Sequence, residues 1–160
     1  MKLKLDSNFC DLLAAFRACG VRYLIIGGWA VSMHAQPRAT KDLDIFVSPE
    51  PSNIEAVYQA LMRFGAPLKN MDRSQFLESG TFFRVGAPPC QVDIFPEIPG
   101  LKFETCWPNR LEVTLDAESE LTANFISAED LVTAKVASGR EQDVADAQAI
   151  RRAQQQRPKA

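Results

Sequence analysis

The stretch KDLDIFV, Lys41 to Val47, sets two aspartates inside a run that otherwise has the composition of a buried β-strand. Side chains alternate along a strand, so Leu43, Ile45 and Val47 point to one face and Asp42, Asp44 and Phe46 to the other. With the apolar set turned to the core, the two carboxylates stand together on the opposite face, about 6.5 to 7 Å apart at the backbone. Like charges that close repel unless something positive sits between them. CQVDIF, Cys90 to Phe95, repeats the pattern: Val92 and Ile94 share one face, and Gln91, Asp93 and Phe95 the other. Should the two strands be neighbours, three carboxylates converge on one surface. Hard oxygen donors without histidine or cysteine suit Mg²⁺ or Mn²⁺ rather than zinc. For the Asp-Leu-Asp triplet alone, a solvated sheet face is the plainer account.

Upstream, YLIIGGWAV (Tyr23 to Val31) reads as a strand, then Gly27-Gly28, then a helix start. Backbone N–H groups and the helix dipole hold an anion at such a turn, and glycines let a phosphate approach closely. A glycine pair by itself usually marks an ordinary turn. The combination carries the functional reading: glycines, a short helix, D-x-D opening the next strand, then a third strand aspartate.

The rest of the chain bounds the fold. With 160 residues, 46% hydrophobic and 24% charged, it has enough apolar content for one compact domain, expected over residues 1–160. Ser7 is expected to cap a helix from Asn8 to Cys19 that Gly20 stops, and Ser52 with Glu55 reads as a capping box for a helix ending at Gly65. TFFRVG and CQVDIF, separated by Ala87-Pro88-Pro89, predict a hairpin, and LEVTL with TANFIS a second strand pair. Ser127 caps a last helical region carrying Leu131, Val132, Ala134 and Val136. These signals predict an α/β (α+β) fold, a small mixed β-sheet flanked by helices, with short C-terminal helices. The N-terminus lacks a secretory h-region and no apolar run is long enough to cross a bilayer, so a cytoplasmic protein with no membrane role is expected. A formal net charge of -2 with scattered basic residues gives no footprint of bulk nucleic-acid binding. Cys10, Cys19, Cys90 and Cys106 show no C-x-x-C spacing and are read as reduced structural thiols.

IGG at Ile26 to Gly28, followed after thirteen residues by DLDI at Asp42 to Ile45, resembles the hydrophobic-G-[G/S] … D-h-[D/E]-h signature of the polymerase-β-type nucleotidyltransferase superfamily. Asp93 in QVDIF takes the place of that family's third carboxylate. With GGWAV, RATKDLD and EDLVTAKVASGREQDVADA, the chain is similar to small bacterial nucleotidyltransferases of the abortive-infection toxin and of the lincosamide and aminoglycoside types. The resemblance covers roughly residues 21 to 150, with core motifs at about 21–96 and the helical part at about 127–155.

It implies a nucleotidyltransferase fold and two ions, Mg²⁺ or Mn²⁺, held on a nucleoside triphosphate by Asp42 and Asp44. Asp93 would ligate the catalytic ion and help deprotonate the acceptor; Gly27 and Gly28 would hold the triphosphate tail. Two metals suit phosphoryl-type transfer because they stabilise attacking and leaving oxygens in line. The implied reaction passes a nucleoside monophosphate from an NTP, with ATP the expected one, to an acceptor hydroxyl on a small molecule or tRNA, and releases pyrophosphate. Arg38 and Thr40 either orient the acids or touch phosphate, or else stabilise the turn. Lys135 either contacts phosphate or snorkels at the surface. In the toxin-like relatives this lysine and R-x-x-D-x-x-D form one motif set, here Arg140, Asp143 and Asp146; the two aspartates are expected to be structural, paired with Arg140 or Arg151.

His34 is expected to pack or cap, and Trp29 and Trp107 to be core aromatics, while Arg73 and Arg84 lack any spacing argument. About thirty residues after TANFIS leave little room for a further substrate domain, so the acceptor pocket is expected from the C-terminal helices, a homodimer or a partner protein. Two rivals remain open: a non-catalytic nucleotide-binding module acting through a partner, and a toxin modifying a tRNA end, whose binding would fall steeply with salt.

Overall fold

The structure, a computed structural model, describes residues 5–68, 72, 74, 82–87, 90–116 and 118–157. Its elements run α1 (Ser7–Ala18), β1 (Tyr23–Ile26), α2 (Gly27–His34), β2 (Leu43–Val47), α3 (Pro51–Phe64), β3 (Phe83–Val85), β4 (Val92–Phe95), α4 (Phe103–Cys106), β5 (Leu111–Asp116), β6 (Leu121–Phe125), α5 (Ala128–Ser138) and α6 (Glu141–Gln156). The six strands described form one mixed sheet in the order β3-β4-β2-β1-β6-β5. β2 and β4 are parallel neighbours, as are β1 and β6, and the remaining pairs are antiparallel. The mixed α/β architecture and both predicted strand pairs are therefore present.

The helix ends show where local rules competed. Asp6, not Ser7, caps α1, its carboxylate accepting from the Asn8 N–H at 2.8 Å. At α3 the expected capping box is absent: Pro51 occupies the first turn, where its fixed φ and missing N–H cost nothing, and Ser52 and Glu55 lie inside the helix. Gly65 closes α3 at φ 90°, as the sequence predicts. Ser127 caps α5 by accepting from the Asp130 N–H at 3.1 Å. The last helical region is two helices, because Gly139 turns left-handed (φ 71°) and α6 then continues for 16 residues.

The core lies where helices cover the sheet. α3 turns Ile54, Val57, Ala60 and Leu61 inward at helical spacing and packs against α1, which presents Phe9, Leu12, Leu13 and Phe16. Each such leucine or phenylalanine contributes roughly 1.5–3 kcal/mol by leaving water. α5 and α6 pack together, and α2 packs on both. β2 is covered on both sides: Leu43, Ile45 and Val47 are fully buried, and Phe46 on the carboxylate face is buried edge-on against Phe103, ring centroids 5.2 Å apart. The face carrying Asp44 is thus not an ordinary solvated sheet face.

Candidate active site

The strand register brings the carboxylates into one row. Asp44 on β2 is directly opposite Asp93 on β4, and Leu43 is opposite Val92, which sets Asp42 beside Gln91. Gln91 Nε2 donates to Asp42 Oδ2 at 3.4 Å. On the outer side Asp93 is opposite Arg84 of the edge strand β3. Arg84 Nε and Nη2 donate to Asp93 Oδ1 and Oδ2 at 2.9 and 3.3 Å, a forked pair taking both carboxylate oxygens. Arg84 stands outside the candidate set drawn from the sequence. The signal for it lay in the hairpin, whose loop length sets Arg84 across from Asp93.

Asp44 differs from its neighbours. Burial, then the charges of Asp93 and Asp42, push its carboxyl up to about 6, and Lys135 and Arg84 offset this only in part. It closes over the turn into α2. Gly27 has φ 68°, and a Cβ there would stand 2.9 Å from the Asp44 Cβ and closer still to Oδ2. Gly28 faces the segment before the D-x-D: a Cβ on it would lie 2.8 Å from Thr40 Cγ2 and 3.5 Å from Arg38 Nη2. Both glycines are required by close approach, and the N-terminus of α2 opens beside Asp44.

The C-terminal helices complete the surroundings. Lys135 Nζ on α5 lies 3.1 Å from both Asp143 Oδ1 and Asp146 Oδ2 on α6. Asp146 also holds Arg38 Nη1 at 2.6 Å, tying α6 to the chain beside Gly28. Asp143 accepts from Ser138 at 2.6 Å and Arg140 at 2.8 Å. Burial raises its pKa, but the hydrogen bonds from Ser138, Arg140 and Lys135 outweigh this and bring it down to about 2. Asp143 therefore pairs with Arg140 as expected, whereas the partner sought for Asp146 in Arg151 is supplied by Arg38 and Lys135. Lys135 is largely buried between two acids, with 14% of its side chain exposed, and does not snorkel.

A cavity of about 200 Å³ joins these parts: Gly27, Asp44 and Lys135 line its polar end, and Phe95, Ile98 and Leu131 its apolar walls. A larger one, about 810 Å³, lies between α1 and the β5–β6 turn and contains none of these groups. The donor chemistry fits hard divalent cations: Asp44 and Asp93 are paired in register with Asp42 two residues earlier, all three are oxygen donors, and a glycine turn lies against Asp44. With Arg84 on Asp93 and Gln91 on Asp42, however, no three acidic, histidine or cysteine side chains among the described residues are gathered as an ion would require.

Other candidates resolve simply. His34 is buried and its Nε2 donates to the Ile126 carbonyl at 2.7 Å; burial lowers its pKa, so it packs as a neutral ring. Trp107 stacks on Phe103 and carries the Arg110 guanidinium 3.9 Å from its ring, and Trp29 packs partly buried against the core. The four cysteines are free thiols, with Cys106 pushed up to about 12 by burial. Arg73 lies outside the described residues. No helix described is long and apolar enough to cross a membrane.

Several solved structures share the architecture. The lincosamide antibiotic adenylyltransferase LnuA, in a lincomycin-bound crystal structure, superimposes with a TM-score of 0.55 at 18% identity, covering 92% of this chain and 97% of that one. A chain of this length thus spans nearly all of LnuA. The antibiotic-resistance factor ANT(2'')-Ia gives 0.58 at 15% identity over 92% of this chain and 80% of that one. An antigenic nucleotidyltransferase-like protein from Paracoccidioides brasiliensis gives 0.53 at 16% over 94% and 78%. No curated protein matches the sequence. The family of nucleotidyltransferases of unknown function DUF6036 matches residues 8–154, and the chain belongs to it: it is a nucleotidyltransferase, an enzyme of the transferase class.

Proposed function

We propose that this single domain, residues 1–160, transfers a nucleoside monophosphate from an NTP, with ATP the expected donor, to a hydroxyl of a small-molecule acceptor. The observation that carries it is the register of Asp44 on Asp93, with Asp42 two residues earlier and the Gly27 turn against Asp44. Asp42 and Asp44 would hold a metal–nucleotide complex, and Asp93 with Asp44 a second ion. Divalent cations there would supply charge stabilisation for the attacking and leaving oxygens.

The chain's own groups account for the rest. N–H groups at Gly27 and Gly28 receive the triphosphate tail, and Arg38, fixed by Asp146, lies beside it. The apolar walls at Phe95, Ile98 and Leu131 accommodate the nucleoside. The acceptor oxygen attacks the α-phosphorus, the bond to the β-phosphate oxygen breaks, pyrophosphate leaves with that electron pair, and the acceptor proton passes to Asp93. A small acceptor is favoured over RNA because Arg38, Arg84, Lys135 and Arg140 are each already engaged by an aspartate, and the net charge is -2. LnuA and ANT(2'')-Ia, similar in fold, are an antibiotic adenylyltransferase and an antibiotic-resistance factor, which supports the same acceptor class.

Incubation with α- or γ-labelled NTPs, Mg²⁺ and separated small-molecule, RNA and protein fractions tests this. The α label is expected on a small molecule and the γ label in pyrophosphate. Label arriving from the γ position would indicate a kinase instead, and transfer to RNA alone would favour the toxin-like reading.

A further inference from the structure

Among the described residues, the cation that touches a candidate metal ligand in strand register is Arg84. It sits on the sheet-edge strand β3, opposite Asp93, and its forked donors take both oxygens that a divalent ion would need. The two sides of the pair are unequal. Only 10% of the Asp93 side chain is exposed, so its charge requires a partner, whereas 55% of Arg84 is exposed and can turn outward without a large desolvation change. A resting place is at hand: the Arg84 guanidinium lies 5.6 Å from the ring of Phe82, itself stacked on Phe95 at 5.1 Å.

We propose that Arg84 is an exchangeable counter-ion of Asp93, holding the carboxylate in the metal-free protein and yielding it when a divalent cation binds. The proposal rests on the metal reading of Asp42, Asp44 and Asp93 given above. It makes Arg84 a positioning residue: it keeps Asp93 aimed along the strand row, and it weakens metal binding by the work needed to displace it. It also accounts for Asp44 and Asp93 standing in register, with Asp42 two residues earlier, yet not being gathered for an ion among the described residues.

The exchange is read directly from the Arg84 Nε–H resonance of the wild-type protein, assigned by its loss in Arg84→Lys, during titration with Mg²⁺ alone. Its solvent exchange is expected to quicken at least about tenfold as Mg²⁺ saturates, because a forked charge-assisted pair is lost. In parallel, Mn²⁺ affinity is measured by electron paramagnetic resonance without nucleotide. Arg84→Ala is expected to bind about three- to tenfold tighter than wild type, and Arg84→Lys, which keeps the charge but loses the fork, about two- to threefold tighter. If the lysine variant matches wild type while alanine alone binds tighter, bulk charge is responsible and the proposal is overturned. An unchanged Nε–H signal in the Mg²⁺-bound protein overturns it too, leaving the metal reading intact. Absence of divalent binding in wild type and both variants overturns the two together.

Discussion

Replacing Lys135 by methionine tests whether the α5–α6 pairing is held by charge or by packing. The substitution keeps a long apolar stem and removes the ammonium that lies 3.1 Å from both Asp143 and Asp146, whose side chains are 6% and 5% exposed. Deleting one partner of a buried ion pair generally costs about 3 to 5 kcal/mol, since the remaining charge is stranded. Here each acid keeps other donors, Ser138 and Arg140 for Asp143 and Arg38 and Gln142 for Asp146, so the lower end applies, about 3 kcal/mol. For a chain of 160 residues that is a fall in Tm of roughly 6 to 12 °C. The pH dependence separates charge from packing. Asp143 is held at about 2 against an ordinary 3.8, so it contributes stability that is present above pH 3.8 and lost as pH falls toward 2. Part of that contribution comes from Lys135, so the deficit of the variant should be full at pH 7 and narrow below pH 3.8. Urea unfolding at a series of pH values measures it. A deficit under about 1 kcal/mol at pH 7, or one equal at pH 3 and pH 7, would refute the electrostatic account.

Three further outcomes are expected. Asp44 is raised from 3.8 to about 6, so the folded state binds its proton more tightly than the unfolded state and wild-type stability falls as pH rises through that interval; in chelator at pH 7.5, Asp44→Asn should be more stable than wild type by about 2 kcal/mol and should lose metal-plus-NTP stabilisation, both measured by unfolding. Gly27→Ala should cost about 2 kcal/mol or more, because φ 68° strains any side chain and the new methyl meets Asp44, and its NTP binding by calorimetry should drop with it. Asp93→Asn should keep most NTP affinity by calorimetry and lose nearly all label transfer, whereas Asp42→Asn should lose both.

What the sequence made legible were features set by spacing along one segment. Period-two alternation in KDLDIFV and CQVDIF gives the faces of Asp42, Asp44 and Asp93, and the strand–glycine–helix pattern locates the Gly27 turn. Features decided by partners distant in the chain were not legible. Arg38 meets Asp146 across 108 residues, and Lys135 acquires its role from α6 folding back on α5. The helix starts failed for a local reason: Asp6 and Pro51 are stronger signals than the Ser7 and Ser52 beside them, since an aspartate accepts with full charge and proline is already set for a first helical turn.

The charge pattern gives a reason why one carboxylate differs from the rest. Among the described residues Asp93 has Arg84, Asp42 has Gln91, Asp143 has Arg140 and Lys135, and Asp146 has Arg38 and Lys135, but Asp44 has no hydrogen-bond partner. It lies at the centre, with like charges on two sides and the Gly27 backbone pressed against it. A protein optimised for stability alone would place an asparagine or an apolar residue there, because a half-buried carboxylate with like charges beside it costs free energy at neutral pH. The four neighbouring aspartates named above each have a side-chain partner that fixes them, so the unpartnered position is Asp44. That position is next to the helix start, where positive charge arriving with a nucleotide would relieve it. On the proposed reading, binding energy and fold stability would be coupled through Asp44, while Arg84 would have to leave Asp93 before a second ion could be held there.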